Sequence, residues 1–270
     1  MKKTIFTLFM LLLQASGFSF QLSTASAQNL YIGSFYMTST DEEALYGDGG
    51  DKWANRRTPI IDMFNFEQPD VLGLQSATDT QITYISNRLT NHHVVGDILY
   101  SKSLELLENG VVENMPEGST CSWAKLQKGE KAFYVFNICF STESTVATTS
   151  ATRLNSAIVD INTEKLTCFI IGDLGVNETK TAYTRITARY NDCYTKASVR
   201  SAEYGTKNNF DLANNHGTER FDFIFASKTV TAVSAYGQLQ YGYFTKESDG
   251  SYKRRQLSTH FPVMAKVTLP

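Results

Sequence analysis

The sequence predicts an α+β fold in which two packed β-sheets carry helices on their outer faces. Three observations lead there. Short apolar runs bounded by turn residues dominate the 270 positions, helical spacing of apolar residues occurs only in stretches between those runs, and 42% hydrophobic with 12% aromatic residues is enough to build a large core. The same composition excludes other classes. Charged residues, at 19%, are too sparse for a coiled coil, the aromatic content is too high for a disordered chain, and no Gly-X-Y period or low-complexity linker is present.

Residues 30–37 form a β-rich run, and 57–66 place Ile60, Ile61 and Phe64 at helical spacing, with Pro59 suiting a first turn. A short buried-type strand at 71–75 follows Pro69-Asp70, and 80–89 read as a second helix. Strands are expected at 93–100 and 104–112, then a hairpin whose arms flank the turn Gln127-Lys-Gly-Glu-Lys131. Residues 151–161 align Leu154, Ala157, Ile158 and Ile161 on one helical face, ahead of a mostly apolar strand at 166–171 and a helix at 181–190. The last third returns to strands at 221–226, 229–236, 239–245 paired with 252–257 across Asp249-Gly250, and 261–269. Between them, 196–219 is the longest irregular segment, and a loop of that length is more often functional than structural.

Lys2 and Lys3 precede an apolar run from 5 to 13, and Ala25-Ser26-Ala27 offers the small-x-small pattern of a cleavage site. Residues 1–27 therefore read as a secretory signal and 28–270 as one exported domain, secreted or periplasmic. The apolar run is shorter than the roughly 20 residues a spanning helix needs, so no membrane span is expected. Of 25 basic side chains the signal removes two, leaving 23 against 27 acidic ones, a net charge of −4. That balance makes duplex nucleic acid an unlikely partner, because duplex affinity comes from a basic face. A monomer with an unidentified ligand or protein partner is expected. Export would place Cys121, Cys139, Cys168 and Cys193 where disulfides persist, and counting back from the hairpin turn sets Cys121 roughly opposite Cys139. Four buried thiols are the alternative, and both readings stay open. No Cys-x-x-Cys pair supports a thiolate zinc site.

Several segments, in order, resemble the endonuclease/exonuclease/phosphatase superfamily. They are Ile32-Gly-Ser-Phe-Tyr36, Gly47-Asp-Gly-Gly-Asp-Lys-Trp-Ala-Asn-Arg-Arg57, Pro69-Asp-Val-Leu-Gly-Leu-Gln-Ser76, Trp123-Ala-Lys-Leu126, Phe133-Tyr-Val-Phe-Asn-Ile-Cys139, Ile171-Gly-Asp-Leu-Gly175, Arg220-Phe-Asp-Phe-Ile-Phe225 and Ser258-Thr-His-Phe-Pro-Val263. The resemblance implies a four-layer sandwich of two mixed β-sheets flanked by helices, with a divalent-metal site for phosphate-ester hydrolysis at one end. Such chemistry needs Mg²⁺ on hard oxygen ligands and an oriented water in line with the leaving group.

Against the family pattern this chain departs at five positions. Tyr36 stands where the family has Asn, Ser76 replaces the metal-binding Glu, Cys139 replaces a His, Gly175 an Asn and Thr259 an Asp. Asp173, Asp222 and His260 remain. The resemblance then implies a catalytically degenerate site that recruits no metal, with Mg²⁺ as its cofactor only if activity survives, and a binding or scaffold role. Placing Glu at Ser76, His at Cys139, Asn at Gly175 and Asp at Thr259 together is expected to raise metal affinity, and any one alone to do little. The surviving trio has two readings. In one, Asp222 fixes the tautomer of His260, His260 meets a phosphate oxygen and Asp173 orients a water. In the other, the Asp–His pair is a buried structural link and Asp173 caps its loop. The alternative function is a phosphoesterase with residual or altered activity on a small phosphate ester.

Three further features have plain expectations. Lys253-Arg254-Arg255 reads as a solvated hairpin strand, and His92-His93 as residues on opposite faces of a strand. Asn177-Glu-Thr179 is a glycosylation sequon if the host modifies exported proteins.

Overall fold

In the computed structural model, which describes residues 28–201, 205–211 and 219–270, fifteen strands and six α-helices form the described chain. The expected leader, residues 1–27, lies outside the described residues. One sheet has seven strands. Its order is β10 (Val199–Ser201), β12 (Val233–Gln238), β15 (Val263–Leu269), β1 (Gln28–Tyr36), β2 (Val71–Gln75), β4 (Ile98–Ser101) and β3 (His92–Val95). The second has six: β5 (Glu105–Val111), β6 (Thr120–Lys128), β7 (Lys131–Cys139), β8 (Thr167–Asp173), β11 (Asp222–Ser227) and β9 (Tyr190–Asp192). Both sheets are mixed: β1 runs parallel to β2 and β7 to β8, while β1 and β15, and β8 and β11, are antiparallel.

Period-two alternation builds the layers. Along β7, Phe133 and Val135 face the core between the sheets, whereas Tyr134, Phe136 and Ile138 face outward against a helical layer. β8 divides in the same way, with Phe169 and Ile171 inward and Cys168 and Ile170 outward. The outward residues pack on α4 (Ser144–Ile161), whose Ala147, Ala151, Leu154 and Ile158 recur at helical spacing, and on α5 (Thr181–Thr187). The other sheet is covered by α2 (Trp53–Glu67) and α3 (Asp79–Ser86), through Ile60, Phe64 and Ile85. Three cores separate four layers, the expected sandwich.

Several boundaries move for local reasons. α2 starts at Trp53, not 57, because Trp53 and Arg56 are already buried, so Pro59 falls inside the helix instead of in its first turn. Residues 92–101 are two strands, since Gly96, at φ 57°, turns the chain back on itself. The hairpin β13 (Gly242–Lys246) with β14 (Tyr252–Gln256) forms as expected, but Arg255 on it is buried among Asp48, Asp51 and Glu247 instead of solvated. The helices α1 (Thr40–Tyr46) and α6 (Cys193–Lys196) have no counterpart among the expected elements.

A Cys121–Cys139 disulfide does not form, and all four cysteines are free. Cys139 pairs with Thr120 and Cys121 with Ile138, a slip of one residue from the count. One residue along a strand reverses the face, so Cys121 joins the core under α4 and Cys139 points the other way. Asn177 of the sequon is also occupied. Its side-chain amide donates to Glu219 at 2.6 Å and its oxygen accepts from the backbone of Thr179, in a residue that is buried. Among the described residues no helix is long and apolar enough to cross a membrane.

Candidate functional site

The ends of five strands converge at one edge of the sandwich. Tyr36 ends β1, Ser76 follows β2, Cys139 ends β7, Asp173 ends β8 and Asp222 opens β11. Register does much of the placement, because Asp173 is paired with both Cys139 and Asp222 across the sheet. His260 arrives from the turn before β15, where it bridges Lys207 of the long irregular segment. The ligand atoms of Asp173, Asp222 and His260 all lie within 4.8 Å of one another, and all three residues are buried.

Glycine shapes the approach to Asp173. Gly172 has φ 137°, and a Cβ there would sit 1.9 Å from the carbonyl oxygen of Ile138. Gly175 has φ 71°, and a Cβ would meet the carbonyl oxygens of Ser141 and Phe140 at 2.2 and 2.6 Å. Position 175 therefore takes glycine in this backbone, and its N–H donates to Asp173 Oδ1 at 2.7 Å.

His260 Nδ1 is 2.9 Å from Asp222 Oδ2, while Asp222 Oδ1 is buried without a hydrogen-bond partner among the described residues. The backbone N–H groups of Phe221 and Asp222 both donate to Thr206 Oγ1, which ties the described part of the irregular segment to the site. The ring of Tyr36 stacks on His260, centroids 4.2 Å apart and planes at 16°. Its hydroxyl donates to Glu42, with both carboxylate oxygens at 2.9 Å, and the Ser76 hydroxyl donates to the same carboxylate at 3.0 Å. Thr259 faces elsewhere. Its hydroxyl is 2.7 Å from that of Thr38, which is also 2.7 Å from Ser258 Oγ, in a buried cluster of hydroxyls.

Glu42 is the contributor that sequence reasoning missed. It lies on α1, and Ser39-Thr-Asp-Glu42 is a Ser-x-x-Glu start signal that could have found the helix. Ser39 does accept from the Glu42 N–H at 3.2 Å, but the Glu42 carboxylate turns to Tyr36 and Ser76 instead of closing a capping box.

Burial governs the protonation states. Desolvation pushes the Asp173 carboxyl well above the usual range, with His260 opposing and the Asp222 charge adding. Burial works to lower the His260 imidazole, but Asp222, through charge and hydrogen bond, and Asp173 together outweigh it and leave it raised. Burial, with Asp173, Asp222 and Glu42 nearby, drives the Cys139 thiol far up, so it is a neutral group and no nucleophile. The arrangement can hold a proton among Asp173, Asp222 and His260 and can orient a hydrogen bond, but it presents no ready nucleophile.

These shifts have a measurable sign. Asp173 and His260 both bind protons more tightly folded than unfolded, so their stabilisation is complete below their unfolded values and is lost as pH rises through the folded ones. Between about pH 5 and 8, wild type minus Asp173→Asn is expected to lose stability with rising pH in urea titrations. A flat or rising difference contradicts the assignment.

No protein-family model and no curated protein matches the chain. Solved structures do match. An endonuclease/exonuclease/phosphatase family protein from Bacteroides thetaiotaomicron superposes with a TM-score of 0.82 at 23% identity, covering 90% of this chain and 99% of that one. A mannosyl-6-phosphatase from the same organism gives 0.80 at 24%, covering 88% and 99%. A truncated TDP2 from Caenorhabditis elegans gives 0.67 at 15%, covering 89% and 98%. At such identities the agreement is one of architecture, and it extends over the two mixed sheets and their helical layers. The chain has the endonuclease/exonuclease/phosphatase fold.

Proposed function

We propose that this chain is an exported binding or scaffold protein built on a phosphoesterase fold, without metal-dependent turnover. One observation carries the reading: Tyr36 lies flat on His260 and is held there by Glu42, which also takes the Ser76 hydroxyl. The imidazole that would meet a phosphate is only 4% exposed, with one face under the Tyr36 ring. Mg²⁺ also fits the donors poorly. It keeps its waters and favours carboxylate oxygens, whereas Asp222 Oδ2 is engaged by His260, Asp173 Oδ1 by Gly175, and position 76 offers a neutral hydroxyl. Export rests on Lys2, Lys3, the apolar run and Ala25-Ser26-Ala27.

The test is calorimetric titration of residues 28–270 with Mg²⁺ and Mn²⁺, beside a panel of phosphomonoesters and phosphodiesters. No saturable heat and no metal-dependent turnover are expected. Turnover abolished by Asp173→Ala or His260→Ala would instead establish the second reading, a hydrolase of a small phosphate ester. That reading is favoured by the unpartnered Asp222 Oδ1 beside an intact Asp–His pair, and by the mannosyl-6-phosphatase that shares the fold. In it, Asp222 would hold His260 in one tautomer and Asp173 would orient the attacking water.

A further inference from the structure

Beside the Asp173 cluster, between the ends of β2 and β6, a cavity of about 500 Å³ opens to solvent. It shares Ser76 and Cys139 with the site, and His260 does not line it. Leu74, Ala77, Val112 and Met115 supply an apolar wall, and Asp97 with the hydroxyl residues Ser119, Thr120 and Ser122 supplies a polar one. A volume in this range, apolar walls and a few convergent polar groups are the ordinary features of a small-molecule site.

Asp97 gives the cavity its chemistry. Among the described residues it is the only charged one lining it, and no Lys, Arg or His accompanies it there. The carboxylate is placed by the turn Gly96-Asp97, whose backbone is anchored by Leu74 N–H donating to Asp97 O at 2.8 Å. The Ser122 hydroxyl donates to Oδ1. Burial raises the Asp97 carboxyl, and only hydrogen bonds from Ser122, Asn137 and its own backbone oppose that. A carboxylate in an apolar cavity without a protein cation is electrostatically incomplete, and a ligand cation would complete it.

We infer that the cavity binds a small amine carried on an apolar, aromatic-sized body, with its ammonium against Asp97. The inference rests on the binding-protein reading and gives it a ligand class. A volume of about 500 Å³ has room for an aromatic body, and the charge matches Asp97 in sign. An anionic ligand such as a phosphate ester would meet that carboxylate unfavourably.

Tryptamine and its uncharged alcohol analogue, tryptophol, separate the charge contribution from the apolar one. In ¹⁵N-detected titrations of residues 28–270, tryptamine is expected to saturate with a dissociation constant about tenfold or more below that of tryptophol, the scale of a charge-assisted hydrogen bond. Shift changes should fall on residues 74–77, 97 and 111–122. Asp97→Asn is expected to bring the two probes within about twofold of one another, because it removes the charge and keeps the shape. Ala77→Phe adds bulk to the cavity lining while Asp97 keeps its charge, and should weaken binding of both about tenfold or more. Equal affinities in wild type, no saturation by millimolar tryptamine, unchanged discrimination in Asp97→Asn, or shift changes elsewhere would each overturn the proposal. Phosphate-ester turnover is assayed on the same sample. Turnover together with amine binding defeats only the binding-protein reading, and neither turnover nor amine binding defeats only the amine site.

Discussion

Arg56→Ala is expected to lower the unfolding free energy by about 3–5 kcal/mol, the range for removing one partner of a buried ion pair. Arg56 is 0% exposed and every nitrogen is engaged. Nε donates to Asp51 O at 2.7 Å, Nη1 to Met37 O at 2.9 Å and Leu257 O at 3.0 Å, and Nη2 to Thr38 O at 3.0 Å and Glu43 Oε2 at 2.7 Å. Truncation would strip the donor from the carbonyls of Met37, Asp51 and Leu257 and leave Thr38 O with Gln81 alone and Glu43 Oε2 with the Trp53 N–H alone, in a place water reaches poorly. The same fork holds together the segments that carry the candidate site, since Met37 and Thr38 follow Tyr36, Glu43 follows Glu42, and Leu257 precedes Ser258 to His260. Arg56→Lys should recover less than half of the loss, because one ammonium has three donors and no planar fork. Arg57→Ala, on an exposed neighbour, should stay within about 0.5 kcal/mol. Urea denaturation of the three variants decides the matter, and a loss below about 1 kcal/mol for Arg56→Ala would contradict the account.

How much of this was legible follows from which interactions are local. The hairpin arm after the turn at 127–131 and the mostly apolar strand at 166–171 rest on local apolar runs and form as expected, and the structure gives both of their faces a core. α1 was invisible to periodicity because it buries no residue, so no apolar stripe marks it. β9 and β10, of three residues each, are too short to show alternation. The cysteine pairing failed by a single residue of register, a distance that a count from a turn does not resolve and that reverses the face of every side chain. Asp173, Asp222 and His260 were reached through the resemblance, and the register between β8 and β11 sets the first two side by side. The start signal at Ser39 marks the helix that carries Glu42, but not the reach of its carboxylate to Ser76, thirty-four residues along the chain. Asp97 was hidden in the same way, its partner Ser122 lying twenty-five residues along the chain.

Glu42 also changes what a single substitution should do. Restoring the family set requires side chains at 175 and 259, yet Gly175 has no room for a Cβ and Thr259 points into the Thr38 cluster. Position 76 is different, since its side chain is partly exposed and already touches a carboxylate. Ser76→Glu places a second acid against Glu42 and near Asp173, and like charges held together at a partly buried site repel. The metal-free variant is expected to lose about 1–3 kcal/mol, which at about 2–4 °C per kcal/mol for a chain of this size is a fall in Tm of roughly 2–12 °C. The paired carboxylates would attract a divalent cation, and Mn²⁺ at about 100 times its dissociation constant would return about 2.7 kcal/mol. The variant should therefore melt low in chelator and recover with Mn²⁺, whereas wild type should melt alike in both. Ser76→Gln has nearly the same bulk without the charge, and its Tm should ignore the metal. A metal-dependent rise in the wild-type Tm would mean that the native donors already hold a cation, and Ser76→Glu without any metal response would mean that Glu42 is not placed to share one.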